Sequence, residues 1–354
     1  MRYSMLRKMI FCTALLTIAT MMPAQNSMHV RLDSLFTSLA ESNKAMGSIC
    51  IAQNGKVLYT HASGYSLIEG SKKIPATEST KYRIASITKM FTAAIIFQLV
   101  QEGKLDFSNT LDEYFPQVPG AAKITIAMML SHRSGLHNIL DDPDYPSWKE
   151  VPKRQDEVLK MISKYPLDFP PDSKAAYSNS NFILLGYIIE NKCKKPYSEV
   201  VNERVIAKIG LKNTYYGSKT NTDNEESYSY AYYNGWAKQT SADMSILAGA
   251  GALVSTPEDL TKFIEALYGR KIIKHRYLNT MQNIIDGYGM GMLPFPYADK
   301  MAYGHAGSID GFNSMLQYFP DEKLSVCYCS NGLTIPIADV MNAVLGIVFS
   351  SINK

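Results

Sequence analysis

The sequence predicts an α+β fold: one antiparallel sheet assembled from both ends of the chain, with a mostly helical segment inserted between them. Three observations carry this. Asn54-Gly55 separates two apolar runs near the start, the strongest short-range hairpin signal. Several strand-like runs and a closing apolar helix gather at the C-terminal end. Between them, from Leu105 to about Ala242, the pattern is that of helices joined by long loops. A cleft between a sheet lobe and a helical lobe is the expected place for a site.

Composition bounds the function. The chain has 354 residues, 46% hydrophobic and 19% charged, which suits one large two-lobed domain and excludes a disordered, collagen-like or coiled-coil chain. A net charge of +4 argues against a nucleic-acid binder. Arg2, Arg7 and Lys8 precede an apolar run from Met9 to Met22 and then Pro23-Ala24-Gln25. This reads as a secretory signal peptide over 1–24, and the run is shorter than the roughly 20 residues a membrane span needs. Its removal leaves a net charge of about +1, no stable membrane span and an exported protein, periplasmic or secreted.

The elements follow in order. Val30, Leu32, Leu35, Phe36 and Leu39 form a helical stripe. Ser48 to Ala52 and Val57 to Tyr59 form the hairpin, and a helix runs from about Ser86 to Gln101 with Gly103 as its left-handed cap. Thr256-Pro257-Glu258-Asp259 opens another helix, with Thr as cap, Pro at the first position and acids at the positive end of the dipole. Strands are expected at Tyr288 to Met292, Ala302 to His305, Phe312 to Phe319 and Leu324 to Ser330, and a last helix from Ile337 to Ser350. The expected organisation is an α/β lobe from 25–105 and 245–354 and a helical lobe from 106–244, with no accessory domain after the last helix. Cys50, Cys193, Cys327 and Cys329 read as buried or free thiols, with a bridge from Cys50 to Cys327 or Cys329 open only if their strands are neighbours.

Phosphate-loop, dinucleotide, zinc-protease and nucleophile-elbow motifs are absent, so neither a metal nor an organic cofactor is expected. His132 and His137 lack the four-residue spacing of helical metal ligands, and His132 is read as structural. The remaining chemistry lies in Ser86-Ile87-Thr88-Lys89. A serine and a lysine three apart on a helix share a face, burial lowers the lysine pKa, and the neutral amine can take the serine proton. Ser86 also opens the helix, where free N–H groups can bind an oxyanion. The spacing alone is weak, since Ser351-Ile352-Asn353-Lys354 repeats it. The apolar Met90, Phe91, Ala94, Ile95 and Ile96 single out the first match, because they would bury the lysine stem.

Four stretches in order then resemble one family. Arg83 to Lys89 resembles a nucleophile motif, Leu130-Ser131-His132-Arg133-Ser134-Gly135-Leu136 a structural signature, Tyr177-Ser178-Asn179 a Tyr-x-Asn motif, and Gly304-His305-Ala306-Gly307-Ser308 with Gly311-Phe312 a third motif and its turn. Together they resemble the serine β-lactamase and D-Ala-D-Ala peptidase superfamily, in the branch of class C β-lactamases, D-Ala-D-Ala carboxypeptidase B and related esterases. The resemblance implies a five-stranded antiparallel sheet flanked by helices, plus an all-helical lobe. It implies Ser86 as the acylated nucleophile, Lys89 sharing its proton, and Tyr177 as general base or acid through a phenol whose pKa Lys89 lowers. It further implies Asn179 holding the substrate and orienting Lys89, and an oxyanion hole from the N–H groups of Ser86 and Ser308.

His305-Ala306-Gly307 departs from the Lys-Thr-Gly of many β-lactamases. Histidine titrates near neutrality and alanine cannot donate, so recognition of an anionic antibiotic is weakened. Phe169-Pro170-Pro171-Asp172 replaces a more usual Pro-Gly turn, and the Tyr-rich stretch from Tyr228 to Trp236 is expected to shape the pocket. The reading is an exported serine hydrolase acting through an acyl-enzyme on small peptides, amides or esters, with D-amino-acid peptides of cell-wall origin leading. A carboxylesterase, a weak β-lactamase and a non-turnover penicillin-binding sensor are the alternatives.

Overall fold

The computed structural model describes residues 27–352, so the expected signal segment over 1–24 and the final lysine of the second Ser-x-x-Lys match lie outside the described residues. The chain opens with helix α1 over 27–41. Strands β1 (Ala45–Gln53) and β2 (Lys56–Ser63) form the hairpin at Asn54-Gly55, both left-handed. Helix α2 (Thr88–Gln101) and helix α3 (Asn179–Cys193) carry the helical interior. Helix α4 (Pro257–Tyr268) precedes strands β3 (Leu293–Tyr297), β4 (Lys300–Ile309), β5 (Phe312–Phe319) and β6 (Leu324–Leu333), and helix α5 (Ile337–Ile352) follows.

The main sheet runs β3-β4-β5-β6-β1-β2 and is antiparallel at every pairing. It is therefore built from both ends, as the sequence predicts, but has six strands where the resemblance implies five. β3 lies at one edge. Pro294 and Pro296 suit that place, since proline offers no N–H to a further partner. The strand expected over Tyr288 to Met292 is instead a loop, in which Gly291 is left-handed and packs against Ala93 and Lys89; the strand begins one residue later.

Alternation along the strands divides the core. Ile49, Ile51, Val326 and Tyr328 face the terminal helices, where Leu32 and Phe36 of α1 meet Val344 and Val348 of α5. Each such buried side chain is worth about 1.5–3 kcal/mol. Cys327 and Cys329 face the opposite way, into the core that holds α2 and α4. Cys50 stands opposite Cys327 in register, so the strands are neighbours, yet all four cysteines described are free thiols. Thr256 accepts a hydrogen bond from the Asp259 amide, capping α4 as expected.

Helix α2 is buried on nearly every side, as befits a helix apolar all round. Gly103 follows it in the left-handed conformation. The intervening segment mixes short helices and loops with small strands, including a three-stranded sheet of Tyr82–Arg83, Leu253–Ser255 and Tyr215–Tyr216. Tyr230–Tyr232 and Trp236–Lys238 pair as a hairpin. Among the described residues, no helix is long and apolar enough to cross a membrane.

Candidate active site

A cleft of about 670 Å³ lies between β4 and the helical segment. Every residue singled out by sequence for its site except Lys89 borders it: Ser86, Tyr177, Asn179, His305, Gly307 and Ser308. Lys89 sits directly beneath, fully buried.

Ser86 lies in a tight 3-10 turn, Ala85–Ile87, one step before α2. Ala85 is left-handed with φ +46°, a conformation costing a non-glycine residue about 1 kcal/mol or more. The turn is held from outside: Ser314 donates to the Ile84 carbonyl (2.9 Å), and Arg83 donates to the carbonyls of Ala242 (2.7 Å) and Ser218 (3.0 Å). Gly307 is the point of closest approach between β4 and this turn. A Cβ there would stand 2.4 Å from the Ile84 carbonyl oxygen and 2.9 Å from the Ser86 nitrogen. The missing side chain thus brings the Ser86 amide beside the strand that carries Ser308, where two N–H groups from different elements can serve one oxyanion.

Lys89 Nζ lies 3.1 Å from Ser86 Oγ, 2.7 Å from Asn179 Oδ1 and 2.8 Å from the Ala250 carbonyl. Burial drives its pKa well below that of an ordinary lysine. The amide and peptide oxygens can only accept, so they take two N–H bonds. In the neutral amine the remaining position is a lone pair, directed at the Ser86 hydroxyl. Tyr177 Oη donates to Ser86 Oγ at 2.7 Å. Ser86 is therefore placed to receive one proton and release another.

Tyr177 departs from the expectation. Burial pushes its pKa up rather than down, so its phenol is protonated at rest. The hydrogen bond to Ser86 lowers that pKa only in part and does not reverse this. His132 stacks against the Tyr177 ring with centroids 4.5 Å apart. Its Nδ1 accepts from the Ser178 amide (3.1 Å), which leaves the proton on Nε2, and burial holds the ring neutral. His305 also departs from a neutral-range titration. Burial first, and the charge of Lys89 second, push its pKa down to about 3. Its Nδ1 donates to the Ala306 carbonyl, so Nε2 offers an acceptor to the cleft.

Sequence reasoning missed three contributors. Asn138 Oδ1 accepts from Asn179 Nδ2 (3.2 Å) and from the Asn179 amide (3.0 Å), turning the Asn179 oxygen toward Lys89. Its only sequence signal is its place just after the Leu130 to Leu136 signature. Lys149 and Asp310 form an ion pair of 2.7 Å in the cleft wall. They come from distant loops and carry no motif. The Tyr228 to Trp236 stretch, expected to shape the pocket, does not line it; its hairpin packs Trp236 on Gly332 and sets Tyr230 beneath Gly311. The unusual Phe169 to Asp172 loop is secured by Arg133, which donates to Asp172 at 2.6 Å and pairs with Asp286. Among the described residues, no cluster of His, Cys, Asp or Glu could hold a metal ion.

A family model described as Beta-lactamase matches residues 32–346. Penicillin-binding protein 4* of Bacillus subtilis (strain 168) is 26% identical over 331 residues, covering 85% of this chain and 71% of that protein. Protein flp of Staphylococcus aureus (strain MW2) is 25% identical over 299 residues, which span 80% of this chain but only 59% of flp. Among solved structures, D-amino acid amidase from Ochrobactrum anthropi SV3, complexed with L-phenylalanine amide, aligns with a TM-score of 0.80 and 25% identity over 93% of this chain and 99% of that one. A penicillin binding protein from Bacillus halodurans, 24% identical, shares the fold with a TM-score of 0.76 over 88% of this chain and 98% of that one.

Proposed function

The chain belongs to the beta-lactamase family and is a serine hydrolase, and from that premise we propose that it hydrolyses small amides and peptides of D-amino acids through an acyl-enzyme on Ser86. The observation that carries this reading is the double contact of Ser86 Oγ, with Lys89 Nζ at 3.1 Å and Tyr177 Oη at 2.7 Å. Neutral Lys89 accepts the Ser86 proton as Oγ attacks the carbonyl carbon. The N–H groups of Ser86 and Ser308 hold the oxyanion. Tyr177 hands its phenolic proton to the departing amine and regains one from the Lys89 side, so the protonated resting phenol is the form the step needs. Water then enters by the reverse proton path and frees Ser86. Asn179 keeps the amine aligned.

The likeness to a D-amino acid amidase supports an amide substrate. His305 and Ala306 support it as well, since a neutral ring and a methyl offer no cation or hydroxyl to an antibiotic carboxylate. The basic start and apolar run over 1–24 support export, and with it cell-wall peptides as the natural source of substrate.

The test combines labelling and turnover. A fluorescent penicillin should add to Ser86, seen as a mass shift on the peptide that contains it, and Ser86→Ala should abolish it. D-phenylalanine amide should be hydrolysed in preference to the L form. Absence of an adduct together with absence of amide and ester turnover rejects the nucleophile; equal turnover of both enantiomers rejects the substrate class.

A further inference from the structure

The edge of β4 points to a second recognition element. β3 pairs with β4 only as far as Gly304, and β5 covers its other side, so among the described residues the edge from His305 to Ile309 has no strand partner and faces the cleft. A substrate laid on this edge antiparallel, like every other pair in the sheet, runs against the direction of β4. With Ser86 opposite Gly307, its leaving-group side meets His305 and its acyl side reaches toward Asp310.

There the cleft wall holds Lys149 and Asp310. The Asp310 carboxylate is only 2% exposed, and both oxygens are engaged, by Lys149 Nζ at 2.7 Å and by the Ala242 amide at 3.0 Å. Lys149 is 18% exposed, and one N–H of its ammonium is used by Asp310. Asp310 also lies near the buried guanidinium of Arg83 and is the foremost charge offsetting its desolvation. Glu226 and Asp243 share in offsetting Arg83, so Asp310 is left to hold Lys149, whose ammonium keeps unused N–H donors for the cleft.

Resting on the serine-hydrolase reading, we propose that Lys149, braced by Asp310, binds a carboxylate on the acyl side of the substrate, so that acyl groups bearing a free carboxylate are preferred over neutral ones of similar length. The amine-binding option through Asp310 is disfavoured because that carboxylate already holds a donor at each oxygen and is shielded from the cleft.

Mono-4-nitrophenyl glutarate and 4-nitrophenyl butyrate provide the comparison, with the same leaving group and acyl groups that differ in one carboxylate. The kcat/KM ratio of glutarate to butyrate should fall about tenfold in Lys149→Met and stay near the parent value in Lys149→Arg. In the parent protein added salt should depress the ratio, a readout that requires no substitution. A ratio unchanged in Lys149→Met, or insensitive to salt in the parent protein, overturns the proposal while leaving the hydrolase intact. Failure of the parent protein to turn over either ester, with no label on Ser86, overturns the underlying reading and this inference with it.

Discussion

At Lys89, the same burial that costs stability supplies the neutral amine on which the proposed mechanism depends. Its amine is kept neutral by desolvation, whereas the phenol of Tyr177 is kept protonated by the same cause. The signs fix a pH profile. Below the depressed pKa of Lys89 the amine is protonated and cannot accept the Ser86 proton, so kcat/KM for an uncharged ester should rise with pH along an acid limb lying below 10.5, the ordinary lysine value. Lys89→Met should remove that limb along with about 100-fold or more of the rate. Asn138 offers a sharper check, because it acts on Lys89 only through Asn179. Asn138→Ala should lower kcat about tenfold with little change in KM, about 1.4 kcal/mol in the transition state. Asn138→Asp keeps the accepting oxygen but adds a negative charge that favours the ammonium, so its acid limb should move to higher pH. An unmoved limb in Asn138→Asp would show that Asn138 is structural alone.

The decisive element is β4, whose approach to the Ser86 turn depends on an atom that is missing. Gly307→Ala would place a Cβ 2.4 Å from the Ile84 carbonyl, and the strand must retreat from Ser86. Stability should fall by about 1–3 kcal/mol, and acylation by considerably more than that loss implies, since the oxyanion donors part. Denaturant unfolding and burst kinetics on one ester check the two halves. Much at this level is legible in sequence. The Asn54-Gly55 turn, the cap at Thr256 and the short apolar run of β6 are local signals, and local physics decides them. The Ser-x-x-Lys pair reads equally well because a 3-10 turn that leads straight into a helix keeps residues three apart close together. What escaped was set by contacts across the chain. Residues 288–292 have the composition of a strand, but Gly291 is needed against Lys89 and Ala93. The Lys149–Asp310 pair spans 161 positions without a shared motif. The shifts at Tyr177 and His305 come from burial, which no spacing of residues reports.

For the molecule as a whole, the buried neutral histidines predict how acid acts on it. His305 has its pKa pushed down to about 3 and His132 is likewise lowered, whereas the unfolded chain takes up these protons near 6.5. The stability from His305 is complete above about pH 6.5 and is lost as pH falls toward 3, by about 1.4 kcal/mol per pH unit, and His132 acts in the same sense. The melting temperature should therefore drop on acidification through this window, and His305→Gln should show a shallower drop; parallel curves would exclude His305 as a source. Lys89 acts at higher pH in the same sense, because the unfolded lysine is protonated below 10.5. The order of the sheet has its own outcome when the protein is made on a ribosome. β1 finds its pairing partner β6 only after residues up to 333 have been synthesised, and the turn of Ser86 waits for Gly307 and Ser314. The nascent chain must hold its apolar first hairpin and α2 without their cover until translation is nearly finished, a period in which a holding chaperone is physically favoured over early folding.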